Sequence, residues 1–319
     1  MSNPLLPTRR IVFMGSPDFA VPSLNALWES DRYRPQLVVS QPDRPRGRGR
    51  AVDPTAVRQR ALELGIPTLT MTKETYAAGV ETVREAKPDA IIVVAFGLIL
   101  RRDLLDMPPF GCINVHASLL PKYRGVSPIQ AAIVAGDAVT GCTIMRIDEG
   151  VDTGNILLRG ETPIQPDDNA GTLTARLALL GAELLVRTLD GVFDGTMHEV
   201  VQDGTHATVT KKIRKHHGLI DWSLPATELE RRIRAMTPWP SAYTFHHGRR
   251  LQIDSATVAP RSSNAAPGTI ISLDPLLVAC GDGALQIRML RPEGRRAMTP
   301  REFRAGNAIE LERRIRAMT

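Results

Sequence analysis

Over the first two hundred residues, short apolar blocks alternate with stretches in which apolar positions recur every three to four residues. Residues 10–14, 36–40, 90–95 and 112–116 are apolar blocks of strand length with little polar alternation. Strands of that kind are covered on both faces, the pattern of a parallel sheet. Between them, residues 20–28, 53–64 and 73–86 carry the helical period. Gly15-Ser16-Pro17-Asp18 breaks the first strand, Asp53-Pro54 offers an N-cap with proline in the first turn, and Gly65 stops that helix. Ser127-Pro128 opens a further helix that Gly136 ends, and residues 140–147 and 155–159 read as strands. The cap region Asp168-Asn169-Ala170-Gly171-Thr172 opens a long helix to about residue 189. This β-α alternation predicts an α/β fold with a Rossmann-like, doubly wound parallel sheet.

The pattern changes after Gly204. Lys211-Lys212-Ile213-Arg214-Lys215-His216-His217-Gly218 is polar and basic, as a linker would be. A short helix at 227–235 precedes short strands at 242–245, 250–258, 269–273, 276–280 and 285–290, separated by Pro, Gly and Asp. Strands at that spacing predict a small OB-like β-barrel. The expected organisation is therefore a catalytic domain at 1–204, a basic linker at 205–218 and an OB-like domain at 219–319. The decamer at 228–237 recurs identically at 310–319. One duplicated segment does not make a solenoid, and no function follows from it.

Charge sharpens this division. The chain of 319 residues carries a net +6. Residues 210–319 hold 19 Lys and Arg against 10 Asp and Glu, a net +9, and residues 1–209 hold 21 against 24, a net −3. A basic back half suits a polyanionic partner, although arginines on a solvated face account for it equally well. No stretch approaches the ~20 apolar residues that cross a bilayer, and residues 1–8 lack the pattern of a signal peptide. Cys112, Cys142 and Cys280 are widely spaced and odd in number, which suggests neither a disulfide framework nor a thiolate metal site. A cytosolic, metal-free monomer is expected.

The richest chemistry follows the strand at 112–116. Asn114 and His116 are two apart, so they share one strand face, at the C-terminal end where open parallel sheets bind ligands. An amide N–H stabilises oxygen charge in a tetrahedral intermediate, and an imidazole moves protons near neutrality. Asp148-Glu149-Gly150-Val151-Asp152-Thr153-Gly154 supplies carboxylates bracketed by glycines. Together they describe acyl-type transfer without a covalent enzyme intermediate. An arbitrary Asn-x-His pair, by contrast, more often closes a strand and bonds to loop backbone. No other histidine lies at helical spacing from His116, which disfavours metal, and Gly-x-Gly-x-x-Gly does not follow the first strand, which disfavours a dinucleotide.

Asn114-Val115-His116-Ala117-Ser118-Leu119-Leu120-Pro121-Lys122-Tyr123-Arg124-Gly125, followed by the 148–154 segment, resembles the core of the folate-dependent formyltransferases. Phe13-Met14-Gly15-Ser16-Pro17-Asp18-Phe19, the arginine-rich segment at 41–50, and Ile220-Asp221-Trp222-Ser223 with Pro238-Trp239-Pro240 are similar to the branch of that family whose acceptor is methionine carried by initiator tRNA. The resemblance runs from Arg10 to about Gly306. It implies 10-formyltetrahydrofolate as formyl donor and initiator methionyl-tRNA as acceptor. It implies that Asn114 holds the formyl oxygen, that His116 assists proton transfer and that Asp152 orients His116. Ser118, Leu119, Leu120 and Pro121 would form part of the folate pocket, and Phe96, Gly97 and Leu98 would wall its pterin side.

Arg44, Arg46, Arg48 and Arg50 alternate with Pro and Gly in a loop after the second strand. Guanidinium groups suit phosphates and base edges, and loops after parallel strands border the substrate crevice. The resemblance implies that this loop probes the acceptor stem, Arg48 foremost. Lys211, Lys212 and Arg214 in the linker supply a second basic contact. Two other readings compete: a folate-dependent formyltransferase acting on a nucleotide-linked amino sugar or ribonucleotide amine, and an RNA-binding module with an inactive α/β domain. The basic back half speaks against the former and the intact Asn114, His116 and Asp152 set against the latter.

Overall fold

The computed structural model describes residues 8–46, 51–261 and 263–306. The described residues form two compact units interleaved along the chain, the first drawn from 1–125, 139–163 and 174–209, the second from 126–138, 164–173 and 210–319.

The first unit begins with β1 (Ile11–Gly15), α1 (Val21–Glu29) and β2 (Pro35–Ser40). A hairpin of β3 (Arg44–Arg46) and β4 (Ala51–Asp53) precedes α2 (Ala56–Glu63), β5 (Thr68–Thr70), α3 (Tyr76–Glu85) and β6 (Ala90–Val94). Next come α4 (Arg102–Leu105), β7 (Cys112–His116) and the two-residue β8 (Arg124–Gly125). Helix α5 (Pro128–Ala135) belongs to the second unit. Strands β9 (Val139–Arg146) and β10 (Ile156–Pro163) return to the first, and α6 (Ala170–Phe193) ends within it.

Seven strands form one sheet in the order β5-β2-β1-β6-β7-β9-β10. The pairs from β5 to β7 are parallel. The chain builds outward from β1 to β2 and β5, then crosses back to β6 and β7. The sheet therefore has a switch point between β1 and β6, and such crevices bind ligands at the C-terminal strand ends. All residues of β1 and β6 are buried, which is why neither shows polar alternation. Val12, Met14, Ile91 and Val93 pack with Tyr76, Val80 and Val83 of α3. Burial of each such side chain contributes ~1.5–3 kcal/mol.

The expected doubly wound sheet is present, but its β9 edge runs antiparallel to β7, and β10 antiparallel to β9. The β9 to β10 connection is a short loop, and short loops join antiparallel neighbours. Gly141 on β9 is required by proximity: a Cβ there would lie 2.0 Å from the Gly160 carbonyl oxygen and 2.6 Å from Leu119 Cδ2. Asp53 does not cap α2. It ends β4, and the Thr55 side chain caps the helix by accepting from the Arg58 N–H at 3.2 Å. The short elements β5 and α4 lie where the sequence pattern gives no periodic signal.

The second unit holds α7 (Ala226–Ala235) and five antiparallel strands. The two-residue β11 (Val209–Thr210) precedes α7; β12 (Ala242–His246), β13 (Arg249–Ala259), β14 (Ile270–Leu273), β15 (Leu276–Ala279) and β16 (Ala284–Pro292) follow it, and α8 (Pro300–Ala305) closes the described chain. The strand order is β12-β13-β16-β15-β14. Helix α7, the short helix expected at 227–235, buries Ala226, Leu229, Ile233 and Ala235. Trp222 is buried and donates through Nε1 to Thr244 Oγ1 at 3.1 Å. Helix α5 ends at Gly136 with φ 76°, the left-handed cap expected of that glycine. The second copy of the decamer, at 310–319, lies outside the described residues.

Candidate active site

Strand β7 brings Asn114 and His116 to the C-terminal end of the parallel sheet. Asn114 is half-buried and His116 is buried. The third residue comes from the loop between β9 and β10. This loop is shaped by its own side chains: Asp148 Oδ1 accepts from the Gly150 N–H at 3.0 Å and from the Thr153 hydroxyl at 2.6 Å. Gly154 lets it pass close over β9, since a Cβ there would sit 2.1 Å from the Arg146 carbonyl oxygen. Asp152 at the tip has φ 53°, in the left-handed region, which costs a non-glycine residue ~1–2 kcal/mol.

The geometry joins the three. Asn114 Nδ2 donates to Asp152 Oδ1 at 3.5 Å, and His116 Nδ1 lies 3.6 Å from Asp152 Oδ2. The Gly125 N–H donates to Asp152 Oδ2 at 2.7 Å. His116 Nε2 lies 3.0 Å from the Tyr123 carbonyl oxygen. A carbonyl only accepts, so Nε2 is the donor to Tyr123, and Nδ1 is the ring nitrogen turned toward Asp152. A proton carried on Nδ1 would therefore meet a carboxylate.

The following turn packs tightly. The buried Ser118 hydroxyl donates to the Lys122 carbonyl at 2.6 Å, and Thr143 Oγ1 donates to the Ser118 carbonyl at 2.7 Å while accepting from the Leu120 N–H at 3.1 Å. The Ser118 hydroxyl is thus engaged within the turn. Leu119 lies over Gly141, Leu120 packs with Met145 and Ile156, and the Pro121 carbonyl accepts from the Thr208 N–H at 3.3 Å. After β6, Phe96 is buried, Gly97 has φ 84° and is exposed, and Leu98 is half-buried.

A family model described as formyl transferase matches residues 9–189, and one described as formyl transferase, C-terminal domain, matches residues 212–308. The chain belongs to the formyl transferase family. Among curated formyl transferases it is 44% identical over 303 residues to the methionyl-tRNA formyltransferase of Agathobacter rectalis, covering 94% of this chain and 97% of that one. It is 45% identical over 305 residues to that of Desulfotalea psychrophila, covering 95% of this chain and 94% of that one. Among solved structures, the N-formyltransferase of Helicobacter canadensis, in complex with folinic acid and dTDP-3-aminofucose, shares its fold with TM-score 0.65 at 20% identity, over 87% of this chain and 98% of that one. HypX of Aquifex aeolicus, in complex with tetrahydrofolic acid, shares the fold with TM-score 0.61 at 16% identity; the match covers 92% of this chain but 46% of that one.

The remaining expected residues of this formyl transferase are scattered. Arg44 and Arg46 stand on β3, which pairs antiparallel with β4. Arg48 and Arg50 lie outside the described residues. Lys211, Lys212 and Arg214 are exposed, on the second unit. Among the described residues, no three His, Cys, Asp or Glu side chains gather as a metal site, and no helix is long and apolar enough to cross a membrane. Sequence reading missed Thr143, Tyr123 and Gly125 as supports. Two of these act through backbone atoms, which carry no residue-type signal. Thr143 sits in an apolar strand, and its polarity there was the one available clue.

Proposed function

We propose that this chain transfers a formyl group from 10-formyltetrahydrofolate to the α-amino group of methionine on initiator tRNA. The observation that carries the proposal is the joining of Asn114, His116 and Asp152 within 3.6 Å at the end of β7. Similarity to methionyl-tRNA formyltransferases over more than nine-tenths of the chain supports the same acceptor.

The chemistry follows from the geometry. The neutral amine attacks the formyl carbon and the carbonyl oxygen gains negative charge. Asn114 Nδ2 has two protons; one points to Asp152, and the other is available to that oxygen. His116 Nδ1 takes the proton lost by the attacking nitrogen, and Asp152 stabilises the imidazolium. The carbon–N10 bond then breaks, N10 receives the proton, and tetrahydrofolate leaves. Phe96, Gly97 and Leu98 with Ser118, Leu119, Leu120 and Pro121 wall the donor pocket; engagement of the Ser118 hydroxyl means that residue serves through backbone and shape.

Arg44, Arg46, Arg48 and Arg50 reach the acceptor stem, and Lys211, Lys212 and Arg214 follow tRNA phosphates. Residues 1–204 carry the transfer chemistry, 205–218 connect, and 219–319 hold tRNA. The enzyme acts in the cytosol as a monomer. The test mixes it with 10-formyltetrahydrofolate and charged initiator tRNA, with dTDP-amino sugar in a parallel reaction. Formylmethionyl-tRNA as product supports the reading; formylation of the sugar alone sinks it.

A further inference from the structure

Asp152 and the Tyr123–Gly125 turn flank His116 from different loops, and one side chain joins them. Gln202 is 9% exposed. Its Nε2 donates to the Asp152 carbonyl at 2.9 Å and to the Gly154 carbonyl at 2.8 Å. Its Oε1 accepts from Arg124 Nε at 3.1 Å and from Arg124 Nη2 at 2.8 Å. A primary amide has two N–H donors and an oxygen with two lone pairs, so this one is saturated.

The segment around Gln202 is itself bonded to both loops. Val200 exchanges backbone hydrogen bonds with Ile156 at 2.8 and 2.9 Å, beside the Asp152 loop. Thr208 accepts from the Arg124 N–H at 2.8 Å through its carbonyl, and from the Tyr123 N–H at 2.7 Å through its hydroxyl. The two residues held in this way, Tyr123 with φ 62° and Asp152 with φ 53°, are both non-glycine residues in the left-handed region. Such conformations persist only when neighbours fix them. Tyr123 supplies the carbonyl that orients His116, and Gly125 supplies the N–H that holds the Asp152 carboxylate.

We infer that Gln202 is a positioning residue for formyl transfer: it clasps the two loops so that the Asp152 carboxylate faces His116 Nδ1. This rests on the function proposed above. Gln202 is buried with its whole amide engaged by Arg124, Asp152 and Gly154, so its loss should lower kcat and leave substrate affinity nearly unchanged. Misplacement of a reacting group by about 1 Å costs on the order of 100-fold.

Two variants test it. Gln202→Met keeps the volume and removes all four hydrogen bonds. Gln202→Glu keeps an acceptor for Arg124 but sets one oxygen against two carbonyls. Both should lower kcat by about 10- to 100-fold, with KM for donor and tRNA within about threefold of the parent. In Gln202→Glu the deficit relative to the parent should shrink as pH falls, because protonation of the introduced carboxyl restores a donor. The His116 imidazole 15N signals should move in both. A kcat within twofold of the parent with unmoved 15N signals overturns the inference. Loss of the folded state in both variants overturns it too, since Gln202 would then be a folding residue. If the parent fails to formylate methionyl-tRNA, the proposed function falls, and the 15N signals still decide whether Gln202 positions His116.

Discussion

At the scale of single residues, the site depends on which atom faces which. The Tyr123 carbonyl assigns the proton to His116 Nε2, leaving Nδ1 toward Asp152. Asp152→Asn keeps an oxygen for the Gly125 N–H but removes the charge that stabilises the imidazolium. Its kcat should fall by roughly 100-fold or more with little change in melting temperature; steady-state kinetics beside a thermal melt check this. The cysteines make an independent prediction. Burial pushes the Cys112 and Cys142 thiols up to about 12 and that of Cys280 to about 11. A thiol whose folded-state pKa is raised favours the fold below its ordinary range, and that contribution is lost as pH rises through the raised value. Native protein at pH 8 should therefore resist iodoacetamide at all three positions, and urea should expose them; mass spectrometry reads the labels. Rapid labelling of native Cys112 or Cys142 would contradict their burial.

At the scale of elements, the sequence revealed much, for identifiable reasons. Strands β1 and β6 were legible because burial on both faces leaves an unbroken apolar run. Helix α5 was legible because proline starts it and Gly136 ends it. The direction of β9 was not, since an apolar run does not encode its partner. Asp53 and Thr55 both precede the helical period and both suit an N-cap, and only the chain path, with Asp53 in β4, leaves the cap to Thr55. Asn114, His116 and Asp152 were legible as residue types, whereas the backbone groups of Tyr123 and Gly125 that hold them were not. Gln202 was illegible because it is far from them in sequence and lies in an irregular segment. Gly141→Ala tests how β9 supports the turn at Leu119. Its Cβ would meet the backbone of β10, so a destabilisation of ~1–3 kcal/mol is expected in urea unfolding.

At the scale of the whole molecule, charge separates the two halves of the work. The net +9 of residues 210–319 suits a polyanion, while the chemistry proposed for the site at β7 is on neutral groups. The KM for tRNA should rise steeply with salt, while the KM for the folate donor changes little. Replacing Lys211 and Lys212 with alanine should make the log–log salt slope shallower by about one to two units, near 0.7–0.9 for each phosphate no longer neutralised. An unchanged slope would remove these lysines from the tRNA surface. Rate should also rise with pH through the α-amino titration at about 7.7, because only the neutral amine attacks.

Formyl transfer onto methionyl-tRNA is the work proposed for Asn114, His116 and Asp152. Single-turnover formylation, with enzyme in excess over charged initiator tRNA and donor saturating, addresses it most directly. The parent should convert the tRNA in one exponential phase. Asn114→Ala should bind tRNA equally well yet react about 100- to 1,000-fold more slowly, as expected when one oxyanion donor is lost. An Asn114→Ala rate within a few-fold of the parent would show that Asn114 does not stabilise the formyl oxygen and that the site lies elsewhere.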